Sequence, residues 1–294
     1  MTKFILIYAF FLFALMSSCP RQDRLLRQTS PYFGQKTPGT KPELFAPDLI
    51  STTACELHGS FSPNGKEYFC TRRDSIEGYN NRIMYLEEKE GKWTKPQLAP
   101  FAEDCIELFA HISQDGNKAF FLSERAHPIT GKLMKNDEKI WYSEKTENGW
   151  GKAHFLESPV NDGWLLSVDI VQGDILYVSG EYGKQGGIFR SIPINGHYQS
   201  VEYLFDDTHP YVSPNERYII FDRFDNDGNT TLYVSFKDKT GQWKEPILLS
   251  SEINSTKSEA FAEVSPDGKF LFFYRQGDIY WVDAKIIEDL NLQK

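Results

Sequence analysis

A short motif recurs along this chain and constrains its fold more than any other feature. Each copy has Ser, then Pro or Gln, then Asn or Asp, usually a Gly, and then an aromatic-rich strand. The copies are SPNGKEYFC from Ser62, SQDGNKAFF from Ser113, SPNERYIIF from Ser213 and SPDGKFLFF from Ser265, with a degenerate copy, IVQGDILYV, from Ile170. Self-similarity at a period of roughly 40–50 residues is typical of propellers and other repeat arrays.

The strand after each motif is apolar on both faces. Counted from the first residue of each copy, positions +6 to +8 are almost all apolar, and +8 is Cys70, Phe121, Val178, Phe221 or Phe273. Successive strand residues point to opposite faces, so such a strand needs a packed layer on each side, as stacked blades provide. Two more strands follow in most repeats, separated by polar turns that contain Gly. Together with the strand before the motif, this predicts four strands per repeat.

The last repeat lacks its fourth strand, and the N-terminal part of the chain supplies a substitute. Residues 41–45 (KPELF) resemble residues 95–98 (KPQL) and 245–248 (EPIL), which lie in predicted fourth strands that begin with Trp93 and Trp243. We therefore predict an all-β fold, a five-bladed β-propeller of four-stranded antiparallel blades. The N-terminal strand closes the ring and leaves no open sheet edge there. Six blades are the alternative, if residues 122–139 contain extra strands.

The closest copy of the repeat carries a resemblance to a known family. SPDGKFLFF followed by GDIYWVD, within residues 265–283, resembles the WD-repeat-like propeller repeats of TolB-type proteins. The resemblance extends over about residues 42–283 and implies the propeller fold. It implies no particular activity, because such propellers mostly bind or scaffold and only occasionally accompany hydrolases.

The N-terminus predicts export. Lys3 precedes an apolar run over residues 4–16, which is shorter than the roughly 20 residues that span a bilayer and fits a cleaved signal. Residues 15–19 (LMSSC) resemble a bacterial lipobox, in which the cysteine, here Cys19, is lipidated; secretion with an incidental cysteine is the alternative. We predict a lipoprotein signal peptide over 1–18, a flexible tether over 19–41 and the propeller domain over 42–294. The expected location is the bacterial cell envelope, lipid-anchored to the outer membrane on its periplasmic or surface face.

Charge, cysteine content and motifs exclude several classes of function. The net charge of −9 and the pI near 5.3 argue against a nucleic-acid partner, which requires a basic face. The chain has no Gly-rich phosphate loop, no G-x-S-x-G elbow and no CxxC pair, so no cofactor is expected. Cys55 and Cys105 occupy nearly equivalent places in neighbouring repeats, and a bridge between them is left open.

Acidic residues and histidines recur in the strand that precedes each motif. The position six residues before the motif carries Glu56, Glu107, Asp207 and Glu259, with Trp164 in the third repeat. The positions four or two residues before it carry His58, His111, His209 and Glu263 among apolar residues. Equivalent positions of a propeller surround its central channel, so these eight residues are candidate ligand-binding groups at the channel mouth. Carboxylate pairs can cleave glycosides, and His with Glu can bind a transition metal; whether a metal binds is left open.

A structural role competes with ligand binding for the four acids. If each hairpin turn centres near position +2, the acids face position +10. That position holds Arg72, Arg223 and Arg275 in three repeats, and Ser123 with Arg125 nearby in the fourth. Charge pairs across a hairpin stabilise it by about 0.2–1 kcal/mol, and a buried carboxylate needs such a partner. We interpret the three arginines as structural ion-pair partners and assign no catalytic residue.

These observations favour a membrane-anchored envelope lipoprotein whose propeller binds or scaffolds an envelope protein or a glycan, without assigned enzymatic activity. The alternative is a carbohydrate-active hydrolase or lyase that uses the acidic and histidine residues at the channel. Ion pairs between the acids and the arginines would weigh against the enzyme. Convergence of the histidines with Glu263 within metal-bonding distance would weigh against a simple scaffold.

Overall fold

The computed structural model describes residues 31–292 and folds them into five antiparallel blades around a central channel. The innermost strands of the blades contact one another in a closed cycle, so the blades form a ring. The prediction of an all-β, five-bladed propeller with four-stranded blades is confirmed, and the six-bladed alternative is wrong.

The strands are numbered in chain order, and the first of them, β1 (Glu43–Leu44), belongs to the last blade. Blade 1 contains β2 (Cys55–Phe61), β3 (Glu67–Arg73) and β4 (Arg82–Lys89), with two short outer strands, β5 (Lys92–Trp93) and β6 (Gln97–Leu98). Blade 2 contains β7 (Glu107–Ile112), β8 (Lys118–Ser123), β9 (Lys139–Thr146) and β10 (Gly149–Phe155).

The remaining blades follow the same plan. Blade 3 contains β11 (Trp164–Val171), β12 (Ile175–Tyr182), β13 (Gln185–Ser191) and β16 (Glu202–Phe205), with a small hairpin of β14 (Pro193–Ile194) and β15 (His197–Tyr198) inserted before β16. Blade 4 contains β17 (Thr208–Val212), β18 (Tyr218–Phe224), β19 (Thr230–Phe236) and β20 (Ile247–Leu248). Blade 5 contains β21 (Glu259–Val264), β22 (Phe270–Arg275), β23 (Asp278–Asp283) and β1, and helix α1 (Lys285–Leu292) follows it.

The N-terminal strand closes the ring as predicted. Glu43 and Leu44 of β1 pair with Trp281 and Tyr280 of β23 in antiparallel register. Phe45 is fully buried, with its ring centroid 4.8 Å from that of Phe272. The outer edge of blade 5 is therefore paired by the start of the folded chain.

The folded chain begins earlier than residue 42. Tyr32 and Phe33 lie in a segment predicted to be a flexible tether, but they form a 3-10 helix (Tyr32–Gly34) and are buried. Both rings pack against the ring of Phe61 in blade 1. The predicted signal peptide and the lipidation of Cys19 fall outside the described residues and stay predictions. No helix within residues 31–292 is long and apolar enough to cross a membrane.

The second strand of each blade is buried on both faces, as its composition predicts. In blade 1, Phe69 packs towards blade 2 in a cluster with Phe121, whereas Tyr68 packs towards blade 5 with Phe272. Cys70 is buried on the same face as Tyr68. Cys55 and Cys105 are both free thiols, so the bridge between them does not form.

Blade 3 departs from the predicted alignment by one residue. In β11, Ile170 pairs with Leu176, just as Phe61 pairs with Tyr68 in blade 1. Ile170 is thus equivalent to Phe61 and not to Ser62, because the hairpin turn of blade 3 is one residue shorter. The long connection between β8 and β9, suspected of holding extra strands, contains only one isolated bridge, Ala126–Leu133.

Candidate functional site

The four acids six positions before the motif all lie beside arginines. Glu56 is 2.7 Å from Nε of Arg72, and Glu259 is 2.8 Å from Nε of Arg275. The two other pairs are Asp207 with Arg223, at 2.7 Å, and Glu107 with Arg125, at 2.8 Å. In the third repeat the equivalent position is Leu165, which pairs with Gly180, and not Trp164.

These acids also accept hydrogen bonds from the loops that precede their blades. Glu56 accepts hydrogen bonds from the N–H and hydroxyl groups of Thr52, and Glu259 accepts the corresponding bonds from Ser255. Arg275 donates to the carbonyl oxygen of Ile253. All four acids are buried, and none lines the channel cavity described below. Their contacts are those of structural ion pairs, and ligand binding by them stays a prediction without geometric support.

The channel itself is lined by two layers of side chains from the innermost strands. The first layer, four positions before the motif, contains His58, Phe109, Ser167, His209 and Phe261. In three of these blades the residue sits in a β-bulge with left-handed backbone, φ 56° at Phe109, 46° at His209 and 54° at Phe261. The bulges turn the rings inward, since the ring centroids of Phe109 and Phe261 lie 5.1 Å apart across the channel. This layer is mainly aromatic.

The second layer, two positions before the motif, is mainly polar. It contains Ser60, His111, Asp169, Tyr211 and Glu263, each paired with the residue at +7 of the neighbouring strand. Asp169 was missed in the sequence because the third repeat was aligned one residue out of register. The sequence did contain a sign of this shift. In the other repeats the residues one and three positions before the motif are mainly apolar, whereas in the third repeat, counted from Ile170, these positions hold Asp169 and Ser167.

Three predicted residues converge where the two layers meet. Nε2 of His58 and Nδ1 of His111 each lie 3.5 Å from Oε2 of Glu263. The two imidazole rings stack obliquely, with centroids 4.5 Å apart. Oδ1 of Asp169 is 3.2 Å from Nδ1 of His111. These residues come from blades 1, 2, 5 and 3.

His209 does not join this cluster. Its Nδ1 lies 2.9 Å from Oδ2 of Asp222, a fully buried carboxylate that also accepts a hydrogen bond from the hydroxyl of Thr208. Oδ1 of Asp222 accepts the N–H of Phe261 in the next blade, at 3.3 Å. Asp222 was not identified from the sequence. It positions His209 and links blades 4 and 5.

Burial dominates the electrostatics of the cluster. It lowers the pKa of His58 well below its ordinary value, with nearby His111 and His209 acting in the same direction. It raises the pKa of Glu263 well above its ordinary value, an effect that Asp169 reinforces and a hydrogen bond from Ser60 opposes. His58 and Glu263 are therefore held in their neutral forms over a wider pH range than in water.

The cluster contains unsatisfied polar atoms. Both ring nitrogens of His58 and Oε2 of Glu263 are buried without a hydrogen-bond partner. Nε2 of His58 approaches Oε2 of Glu263 to 3.5 Å, but the contact does not have hydrogen-bond geometry. Imidazole nitrogens and carboxylate oxygens are ligands of transition metals, and these three residues could hold such an ion.

The polar layer faces a small cavity at one end of the channel. The cavity measures about 90 Å³ and is lined by His111, Asp169 and Glu263 together with the motif prolines Pro63, Pro214 and Pro266. The recurring turns therefore form the rim of the channel mouth. We call this side of the propeller the turn face.

A larger groove on the turn face adjoins this cavity between blades 2 and 3. It measures about 890 Å³ and shares Gln114 and Pro214 with the cavity. Its walls carry the aromatic side chains Phe120, Tyr142 and Tyr198 and the charged side chains Asp115, Lys118, Glu144 and Asp174. Lys118 is paired with Asp174 at 2.7 Å, so the free charges of the groove are negative.

Comparison with known proteins supports the fold and leaves the activity open. No family model and no curated protein matches the sequence. Among solved structures, TolB from Acinetobacter baumannii is similar, with a TM-score of 0.50 and 14% identity, over 79% of this chain and 55% of TolB. This chain thus spans about half the length of that protein.

Two enzymes are also among the similar structures. The catalytic domain of an α-L-arabinofuranosidase from Coprinopsis cinerea matches with a TM-score of 0.52 and 9% identity, over 84% of this chain and 97% of that domain. A gluconolactonase from Xanthomonas campestris matches with a TM-score of 0.47 and 10% identity, over 86% of this chain and 98% of the enzyme. At these identities the likeness concerns the propeller fold alone.

Proposed function

We propose that this chain is an envelope binding module that holds a glycan in the groove of its turn face. The observation that carries this proposal is the 890 Å³ groove, which adjoins the channel mouth and shares Gln114 and Pro214 with its cavity. A ligand-binding cleft typically measures about 300–1,000 Å³ and combines apolar walls with a few polar groups. The groove has this size, and its lining mixes aromatic and apolar side chains with several polar and charged ones.

The chemistry of the groove favours a glycan over an acidic ligand. Tyr142 and Tyr198 are half-buried and give the groove aromatic surface that can contact the C–H groups of a sugar, while the exposed carboxylates of Asp115 and Glu144 can accept its hydroxyl hydrogens. An anionic ligand would meet these carboxylates with only Lys118 to offset them, and Lys118 is already paired. An envelope protein is the other class of partner.

Location in the envelope forms part of the same proposal. It rests on the apolar N-terminal run and on the lipobox-like residues 15–19. We expect the full chain to fractionate with membranes and a Cys19→Ser variant to be soluble after export. Membrane fractionation that is unchanged by this substitution would contradict lipidation at Cys19.

The binding proposal is tested with the full chain and a panel of soluble bacterial envelope glycan fragments, by titration calorimetry. We expect saturable binding that Tyr142→Ala weakens at least tenfold, because the variant removes a groove wall. Tyr203→Ala is the matched control, since Tyr203 is exposed and lies outside the groove. Retention of an envelope protein, with no glycan bound, would replace this proposal with the protein-binding alternative.

A glycoside hydrolase is the second candidate, supported by Glu263. Its pKa is raised by burial and by Asp169, as a general acid requires, and a second carboxylate stands nearby, as such enzymes need. The arabinofuranosidase shares only the fold with this chain, which is a weak argument for shared activity. Shortened fragments after incubation with wild type, and none with Glu263→Gln, would favour this candidate over simple binding.

A further inference from the structure

We propose that the channel binds one divalent transition-metal ion, best suited to Zn²⁺, through His58, His111 and Glu263. One ligand atom from each residue lies within 4.8 Å of the other two. The three residues belong to blades 1, 2 and 5, so the closed ring itself assembles the site.

The interatomic distances agree with a common metal. In a tetrahedral site, ligand atoms about 2.0–2.1 Å from Zn²⁺ stand about 3.3–3.4 Å from one another. Oε2 of Glu263 lies 3.5 Å from Nε2 of His58 and 3.5 Å from Nδ1 of His111. The two imidazole nitrogens lie within 4.8 Å of each other, and side-chain rotation on binding would bring all three atoms to one ion.

The distribution of charge also indicates a missing cation. Every buried acid six positions before the motif has its arginine, whereas no lysine or arginine lines the cavity next to Glu263 and Asp169 within residues 31–292. The fold thus provides an arginine for each carboxylate of one ring, whereas only histidines stand beside the two carboxylates in the channel. A bound dication would supply the missing charge.

Unpaired atoms in the cluster give an independent indication. His58 is 3% exposed, yet neither of its ring nitrogens has a hydrogen-bond partner, and Oε2 of Glu263 also lacks one. Buried polar atoms are nearly always satisfied, and an exception calls for a partner such as an ion. The unpaired Nε2 and Oε2 atoms are the same atoms that face each other at 3.5 Å.

The ligand types select the class of metal. Two imidazole nitrogens and one carboxylate suit Zn²⁺ and its first-row neighbours, whereas Ca²⁺ and Mg²⁺ prefer oxygen ligands. Three protein ligands leave a fourth position, which faces the 90 Å³ cavity because His111 and Glu263 line it. That volume accommodates water or a small ligand group. Asp169 stands beside it, fixed by the N–H groups of Val212 and Ile170.

The test uses the full chain, stripped with EDTA and titrated with ZnCl₂ against a chromophoric chelator. We expect one tightly bound Zn²⁺ per chain and a rise in the melting temperature on binding. His58→Ala and Glu263→Gln should each weaken the affinity at least 100-fold. His209→Gln is the matched control, because it changes the other channel histidine and should retain one Zn²⁺ per chain.

A spectroscopic measurement distinguishes loss of the metal site from poor folding of a variant. Co²⁺ bound in place of Zn²⁺ should give the strong visible bands of a four-coordinate site in wild type and in His209→Gln. Glu263→Gln should lose these bands while its far-ultraviolet circular dichroism in EDTA matches that of wild type. Absence of stoichiometric Zn²⁺ and Co²⁺ binding, or equal binding by the His58 and Glu263 variants, would overturn the proposal.

Stabilisation by Ca²⁺ or Mg²⁺ but not by Zn²⁺ would also overturn it, because it would require an oxygen-only site. No glycan is present in these titrations, so the result is independent of the proposed glycan binding. Either proposal can fail without the other.

Discussion

Each buried acid of the hairpins depends on an arginine, which stands at position +10 in three blades and two residues later, as Arg125, in blade 2. Arg275 illustrates its two roles: its Nε contacts Glu259 at 2.8 Å, and its guanidinium lies about 5 Å from the ring centroids of both Phe273 and Tyr280. The carboxylate of Glu259 is fully buried, so it depends on this charge and on its hydrogen bonds from Ser255.

Replacing Arg275 by Met should therefore destabilise the propeller strongly. Removing one partner of a buried ion pair costs about 3–5 kcal/mol, because the other charge remains buried and uncompensated. The double variant Glu259→Gln/Arg275→Met should recover part of that loss, since it leaves no buried charge. Urea unfolding measures both free energies.

Arg217→Met is the control for this prediction, because Arg217 is exposed and should tolerate the change within about 0.5 kcal/mol. A single variant at Arg275 as stable as wild type would show that Glu259 does not depend on the pair.

The ion-pair pattern was predictable at this scale because it is local in sequence. Glu56 and Arg72 are 16 residues apart, and so are Asp207 and Arg223. A single hairpin register relates them, and the repeats show the same spacing several times. Only the partner of Glu107 deviates, because Arg125 and not Ser123 supplies the charge.

At the scale of the element, the recurring turn is a self-contained network of hydrogen bonds. In blade 2 the hydroxyl of Ser113 donates to Oδ1 of Asp115 at 2.6 Å, and the N–H of Lys118 donates back to Ser113 at 2.9 Å. Ser62, Ser213 and Ser265 make equivalent bonds. Asn replaces Asp in blades 1 and 4, so the turn requires the acceptor oxygen but not the charge.

The charge should nevertheless strengthen the turn at neutral pH. The hydrogen bond from Ser113 is the main cause that lowers the pKa of Asp115 below its ordinary value of 3.8. The unfolded chain therefore takes up the proton first, and the stability contributed by the carboxylate is present above pH 3.8 and lost as the pH falls through the lowered folded-state pKa.

Asp115→Asn should be slightly less stable than wild type at pH 7, and the difference should shrink as the pH falls below 3.8. Urea midpoints measured across this pH range test the prediction. Asp227→Asn, in an exposed turn outside the motif, serves as the control. A difference that grows on acidification would contradict the assigned sign.

The β-bulges of the innermost strands are a second feature at the scale of the element, and they were not predicted from the sequence. The N–H of Phe109 donates to the hydroxyl of Thr71 in blade 1, and the N–H of His209 donates to the hydroxyl of Ser179 in blade 3. Each bond links a bulge to the preceding blade. Thr71 and Ser179 both occupy position +9 of their repeats, but they are 38 and 30 residues from these partners, and only the packed blades bring them together.

For the whole molecule, closure of the ring decides both the packing of the last blade and the assembly of the channel cluster. β1 pairs the outer edge of blade 5, and Tyr32, Phe33 and Phe45 pack in one core cluster with residues of blades 1 and 5. The same closure places Glu263 of blade 5 beside Ser60 of blade 1, although they are 203 residues apart in the chain.

Deleting residues 1–46 should open the ring. The deletion removes β1 and its aromatic neighbours, so the edge of β23 and the buried ring of Trp281 become accessible. We expect aggregation in size-exclusion chromatography and a lowered melting temperature. A chain that starts at residue 31 keeps every described contact and is the control; equal stability of the two truncated chains would contradict closure by β1.

The sequence by itself determined the repeat, the five blades, the closing strand and the pairing of hairpin acids with arginines. Each of these follows from strand periodicity and from spacings within about one repeat, and recurrence separates them from chance. The same reasoning identified His58, His111 and Glu263 as channel candidates. It also grouped them with His209 and with the four acids that form ion pairs with arginines of their own blades.

The tertiary structure alone decided which candidates meet. His58, His111, Glu263 and Asp169 come from four blades, so their convergence depends on ring closure and on the register of each innermost strand. A one-residue change in one turn was enough to hide Asp169 from alignment, because a shift of one residue moves a strand's side chains to the opposite face. The recurring turns build the blades through local hydrogen bonds, and the ring then places them around the mouth of the channel.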